Sequence, residues 1–178
     1  MQQPVLETDD KEIQKLFDAS INTLRNSAIE TICDGMGRER QQYAGDGAHQ
    51  VCAFSYIYGA HEPIIGRFFE TFTDGITSDG YYPDSWPGYD RTVRMSQVQL
   101  GMSGWGPILD HTLQLILESY RHYLHTGNDE LLQKSYHDFL KFYRFSLGYE
   151  DEDGLLMVEN LVKVGVWLDH TAFRKGRD

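Results

Sequence analysis

The chain is poor in cysteine, in positive charge and in long apolar runs, and each shortage closes off a class of function. Its two cysteines, Cys33 and Cys52, form no CxxC pair and cannot build a disulfide framework, so they read as free, small and mostly buried residues. Lysine and arginine number 16 against 27 aspartates and glutamates, a net charge of −11. With no basic stripe to release counterions, nucleic acid and anionic membranes are excluded as main partners. No apolar run is long enough to span a bilayer. The opening residues, Met1 to Glu7, lack the basic and apolar regions of a signal peptide. A complete chain would therefore be cytoplasmic, and a periplasmic or secreted location would require a longer precursor. Phosphate-binding glycine loops, nucleophile elbows and HExxH metal motifs are missing as well, and the sequence implies no cofactor.

What remains is a folded, acidic chain of 178 residues, enough for one domain with a real core. Aromatic residues make up 13%, which suits flat-faced ligands such as sugars and equally suits core packing. Helical spacing dominates. Asp9, with Glu12 three positions on, predicts a helix over 9–33, its face formed by Ile13, Leu16, Phe17, Leu24, Ala28 and Ile32. A second is expected from Gly47 to Tyr58, stopped by Gly59, and a third from Glu62-Pro63 to Asp74-Gly75, with Ile64, Ile65, Phe68, Phe69 and Phe72 inward. A long irregular stretch, 77–106, separates these from a helix opening at Pro107. The stripe of that helix reads Leu109, Leu113, Ile116, Leu117, Tyr120 and Leu124, and Gly127 closes it. Asn128 then caps a last helix with Leu132, Tyr136, Phe139, Leu140 and Tyr143 inside, and Asp151 to Gly154 forms a turn.

The chemistry concentrates in thirteen residues between the first two helices: Asp34-Gly35-Met36-Gly37-Arg38-Glu39-Arg40-Gln41-Gln42-Tyr43-Ala44-Gly45-Asp46. Three carboxylates and two arginines share a segment loosened by glycine. Crowded acids with cations beside them are a means of setting carboxyl pKa values apart, as acid chemistry requires. The plainer reading is an acidic turn with solvated charges.

The pattern Asp34-x4-Glu39-x2-Gln42-Tyr43-x-Gly45-Asp46 resembles the catalytic segment of α-L-rhamnosidase-like glycoside hydrolases, and it lies just after the opening helix, as in that family. The aromatic loop Tyr81 to Trp86, the segment up to Trp105 and the helix leading to Tyr123-Leu124-His125-Thr126-Gly127 are similar in order. The resemblance implies an all-α domain over residues 1–178, part of an (α/α) six-hairpin toroid. It implies a glycosidase that inverts configuration at terminal α-L-rhamnosyl or related bonds. Glu39 would be the general acid, and Asp34, Arg38 and Asp46 would hold the sugar. Where the family commonly has Cys-Pro after the first aspartate, this chain has Gly35-Met36. The family's general base is a second glutamate farther along the barrel than Asp178, so this chain reads as the first half of a catalytic domain. An open barrel edge would favour self-association.

Trp86 and Trp105 are either platforms for a sugar's apolar face or packing residues. Asp84 and Asp90 read as solvated turn residues. His122 and His125 share a helix face, but nothing accompanies them, so no metal site is expected. Asp110-His111 reads as surface or capping residues, or as polar lining of a pocket. Trp167, Asp169 and His170 pair an aromatic with an acid near the end of the chain. The alternative to an enzyme is a non-catalytic helical module that binds carbohydrate or mediates assembly. A helical-toroid glycosidase or lyase acting on another glycan is a third reading.

Overall fold

The computed structural model describes residues 4–87 and 107–156, and these form five helices and no strand. Helix α1 spans Lys11–Asn26 and is started by Asp10, whose carboxylate accepts from the Glu12 and Ile13 amides at 2.9 and 3.2 Å. It stops seven residues before the expected end. Ala28 and Ile32 are buried as foreseen, but through a short backbone bridge to each other rather than on a helix face. Ile13 and Leu16 are exposed, so the inner face of α1 is carried by Ile21 and Leu24.

Helix α2 spans Ala44–Ile57, three residues earlier than expected, and ends at Gly59, whose φ of +98° only glycine adopts without strain. Helix α3, Pro63–Thr73, opens on its proline and buries Ile65, Phe68, Phe69 and Phe72. Helix α4, Leu109–Thr126, ends at Gly127 with φ +70°. Helix α5, Glu130–Leu147, takes Asp129 as its cap residue. Asn128 still contributes, accepting from the Glu130 amide at 2.9 Å. After it, Asp151 Oδ1 accepts from the Asp153 and Leu155 amides and closes the turn foreseen at 151–154.

Ring and side-chain contacts fix the arrangement. His111 meets Gly45, Gln114 meets His49 and His125 meets Tyr56, so α2 and α4 run parallel along their length. Each is followed by a helix packed beside it, α3 after the Gly59 turn and α5 after the Gly127 turn, and α3 in turn packs on α5. Repeated hairpins with their first helices parallel are the wedge from which a helical toroid is built. The core between them holds Phe54, Phe68, Phe69, Phe72, Tyr82 and Phe142, all essentially inaccessible. Burying each such ring contributes about 1.5–3 kcal/mol relative to exposure.

The buried face of α4 differs from the expected stripe. Leu109, Thr112, Leu115, Glu118 and Ser119 are buried, whereas Leu113, Leu117, Tyr120 and Leu124 are exposed. The reason is α2, which presents Gly45, Ala48 and Cys52 and admits a close neighbour with small side chains. Tyr136 and Tyr143 of α5 likewise face outward, and Ser135, Phe142 and Ser146 face inward. Both cysteines are free but only partly buried, less than expected. No helix among the described residues is long and apolar enough to cross a membrane.

Candidate active site

The segment between α1 and α2 is a loop closed on itself. The Asp34 amide donates to the Gln41 carbonyl at 2.9 Å, and the Gln41 amide donates to Asp34 Oδ1 at 2.8 Å. Glu39 therefore sits near the tip of a loop whose two ends are tied. Within it, Arg40 holds φ at +54°, a left-handed conformation rare for a side chain of this size, and its Nε donates to the Met36 carbonyl at 2.7 Å. Gly35 and Gly37 have nothing near the space a side chain would fill, so the tip makes no packing contact there. The base of the loop is anchored by the Cys33 carbonyl, which accepts from Gln50 Nε2 at 2.7 Å.

The segment 84–86 forms the opposite wall. The Trp86 amide donates to the Gln42 carbonyl at 3.0 Å, Gln42 Nε2 donates to the Trp86 carbonyl at 2.7 Å, and the Ala44 amide reaches the Asp84 carbonyl at 3.4 Å. This pins Tyr43 opposite Ser85. Asp84 is only 3% exposed, which corrects the expectation of a solvated turn. No spacing rule could have found it, because its burial follows from the pairing of two segments more than forty residues apart.

Tyr43 is the hub of the acidic cluster. The Glu39, Asp84 and Asp34 carboxylates lie near enough to its phenol to act on it electrostatically. Burial first, and then these carboxylates, push the phenol well above its ordinary range, so it stays a donor. Arg38 pairs with Glu39 from a side chain that is 80% exposed, while that of Glu39 is 31% exposed.

Asp46 lies in the first turn of α2, where a carboxylate also complements the helix dipole. It belongs to the neighbouring part of the site, beside His111. That imidazole, buried over Gly45, is held below the ordinary histidine range by burial, against the opposing pull of Asp110 and Asp46. His111 thus packs, partly buried, where the N-termini of α2 and α4 meet. Trp86 lies against Gly75 and at the edge of the core, so its ring packs the wall instead of standing free. Trp105, Asp90, Trp167, Asp169 and His170 lie outside the described residues.

A cavity of about 450 Å³ opens behind the loop between α1 and α2, with Leu24, Ala53, Ile57, Gln50 and Asp34 in its wall. Among the described residues no three His, Cys, Asp or Glu side chains are grouped to hold a metal ion. The arrangement offers a partly exposed carboxyl at Glu39 with further carboxylates at its flanks. That set can protonate a leaving oxygen and bind sugar hydroxyls.

Comparison with known families places the whole chain. Residues 1–178 match the bacterial alpha-L-rhamnosidase 6 hairpin glycosidase domain. The chain belongs to that family, an all-helical glycosidase domain whose substrates are carbohydrates. No curated protein and no solved structure matches it.

Proposed function

Taking that membership as premise, we propose that residues 1–178 form one domain that cleaves terminal α-L-rhamnosyl or closely related glycosidic bonds, with Glu39 as general acid. A glycosidic oxygen is a poor leaving group until it is protonated, and a positioned carboxylic acid accelerates that step by about 10²–10⁴. Asp34 and Asp46 bind the sugar hydroxyls, Arg38 closes over the anionic side of the pocket, and Trp86 supplies apolar wall. Trp105 is assigned to the same wall from sequence alone. The observation that carries the reading is the gathering of Asp34, Glu39 and Asp84 around Tyr43 in a loop tied at both ends.

Inversion follows from a second carboxylate acting through water, about 6.5–9.5 Å from the acid. None of the carboxylates assigned here is given that role. The exposed apolar stripe of α4 is the open edge through which this domain associates with a further helical surface or with its own copies. Nucleic acid and membranes are not partners of so acidic a chain.

Calorimetric titration with L-rhamnose tests the site without requiring turnover. Binding that weakens at least about tenfold in Asp34→Asn and Asp46→Asn, with D-glucose bound by neither variant nor parent, is expected. Equal affinity of parent and both variants contradicts the assignment. Where turnover is measured, the first anomer released from an α-L-rhamnoside should be β by proton NMR.

A further inference from the structure

We propose that Gln42 is a positioning residue for sugar binding, fixing Trp86 against the carboxylate loop through its side-chain amide. The inference rests on the reading of that loop and Trp86 as two walls of a rhamnose site. It identifies what sets the gap between them.

Two backbone bonds cross from the loop to the 84–86 segment. The Trp86 amide donates to the Gln42 carbonyl at 3.0 Å, and the Ala44 amide donates to the Asp84 carbonyl at 3.4 Å. Neither reaches the Trp86 carbonyl, and Pro87 after it has no N–H to offer the loop. Gln42 Nε2 supplies the missing connection, donating to that carbonyl at 2.7 Å. One residue therefore grips Trp86 on both sides of its Cα. Peptide groups are rigid planes, so holding both of them holds the backbone torsions of Trp86 and the direction in which its indole leaves the chain.

Gln42 is only 3% exposed, so water competes little for its amide. On its far side the indole meets Gly75, where an added Cβ would stand 2.6 Å from Trp86 Cγ. Trp86 is thus set between the end of α3 and Gln42. The loop itself does not depend on this side chain. Its ends are tied by the two bonds between Asp34 and Gln41, and its base by Gln50 Nε2 on the Cys33 carbonyl at 2.7 Å. Removing the Gln42 amide therefore frees the Trp86 wall and leaves the Glu39 loop closed. The kinetic signature is weaker sugar binding with proton delivery retained, a raised KM at nearly constant kcat.

The test is calorimetric titration of L-rhamnose into the parent, Gln42→Leu, Trp86→Leu and the double variant. Gln42→Leu should weaken binding at least about fivefold, the scale of one lost hydrogen bond. Added to Trp86→Leu it should cost nothing further, because the amide acts through the indole. Parental affinity in Gln42→Leu overturns the proposal, and so does an equal loss in both backgrounds, which means a merely structural role. Gln42→Glu keeps the shape and covers a leucine variant that does not fold. Its carboxylate has no proton to donate at about pH 7.5, whereas the protonated form does, so its affinity relative to the parent should recover toward about pH 5. No recovery overturns the proposal. On an aryl α-L-rhamnoside, Gln42→Leu should raise KM at least about fivefold and change kcat less than about twofold. A fall in kcat at constant KM contradicts it. A parent that does not bind L-rhamnose is failure of the site reading and takes this inference with it. A parent that binds, with Gln42→Leu binding equally well, is failure of this inference alone.

Discussion

The imidazole of His111 occupies the space that a side chain at position 45 would need. A Cβ built on Gly45 would stand 2.6 Å from His111 Cδ2, and one built on Gly47 would stand 2.2 Å from Phe68 Cε2. The start of α2 can therefore lie against α4 and α3 only because it carries no side chains at these two positions. This close approach brings the N-termini of α2 and α4, with Asp46 and Asp110 in their first turns, to one end of the domain.

Replacing either glycine separates two opposing effects. Alanine inside a helix is normally favoured over glycine by up to about 1 kcal/mol. At 45 and 47 the clash should win, and Gly45→Ala and Gly47→Ala should each destabilise the fold by about 1–3 kcal/mol. Gly66→Ala, on α3 with nothing within 4 Å, should be neutral or stabilising. Thermal or urea unfolding measures all three, and a stable Gly47→Ala protein would contradict the packing described.

Acid should weaken the domain in the histidine range. His111 is held below its ordinary range by burial, and His122 by burial and then by His61 and His125. His122 packs on Phe69 with ring centroids 5.4 Å apart, and its Nδ1 has no partner among the described residues. Above about pH 6.5 these groups are neutral whether the chain is folded or not. Below it the unfolded chain binds protons that the folded chain resists, so stability falls as pH falls. The Tm should be flat from about pH 8 to 7 and decline from about 6.5 toward 5. Replacing His122 by Phe should reduce the decline. A Tm that rises over the same interval contradicts this account.

The exposed stripe of α4 gives a prediction about association. Leu117→Glu with Leu124→Glu replaces two exposed side chains and should change folding stability by no more than about 0.5 kcal/mol. It should nevertheless abolish concentration-dependent sedimentation of the parent chain. A parent that sediments as a monomer at every concentration removes the open-edge proposal.

This stripe also marks what the sequence could and could not convey. Periodicity identified a helix over almost the right residues, because Leu109, Leu113, Ile116 and Leu117 recur at its period. It did not identify which face meets α2, since that is decided by Gly45 and Ala48 on another helix. The glycine stops at 59 and 127 and the proline start at 63 were legible because their conformational demands are local. The carboxylate loop was legible from its residues and from a family pattern. The burial of Asp84 was not, because it depends on the pairing of residues 42–44 with 84–86. Leu16 shows the converse error: an apolar residue at helical spacing that the fold leaves exposed.

The central claim is that Glu39 supplies the proton, and hydrolysis of an unactivated aryl α-L-rhamnoside by the parent and by Glu39→Gln tests it most directly. The account predicts that the variant keeps its fold and its affinity for L-rhamnose while kcat falls by about 10²–10⁴. A Glu39→Gln protein that hydrolyses the substrate at the parental rate would contradict it.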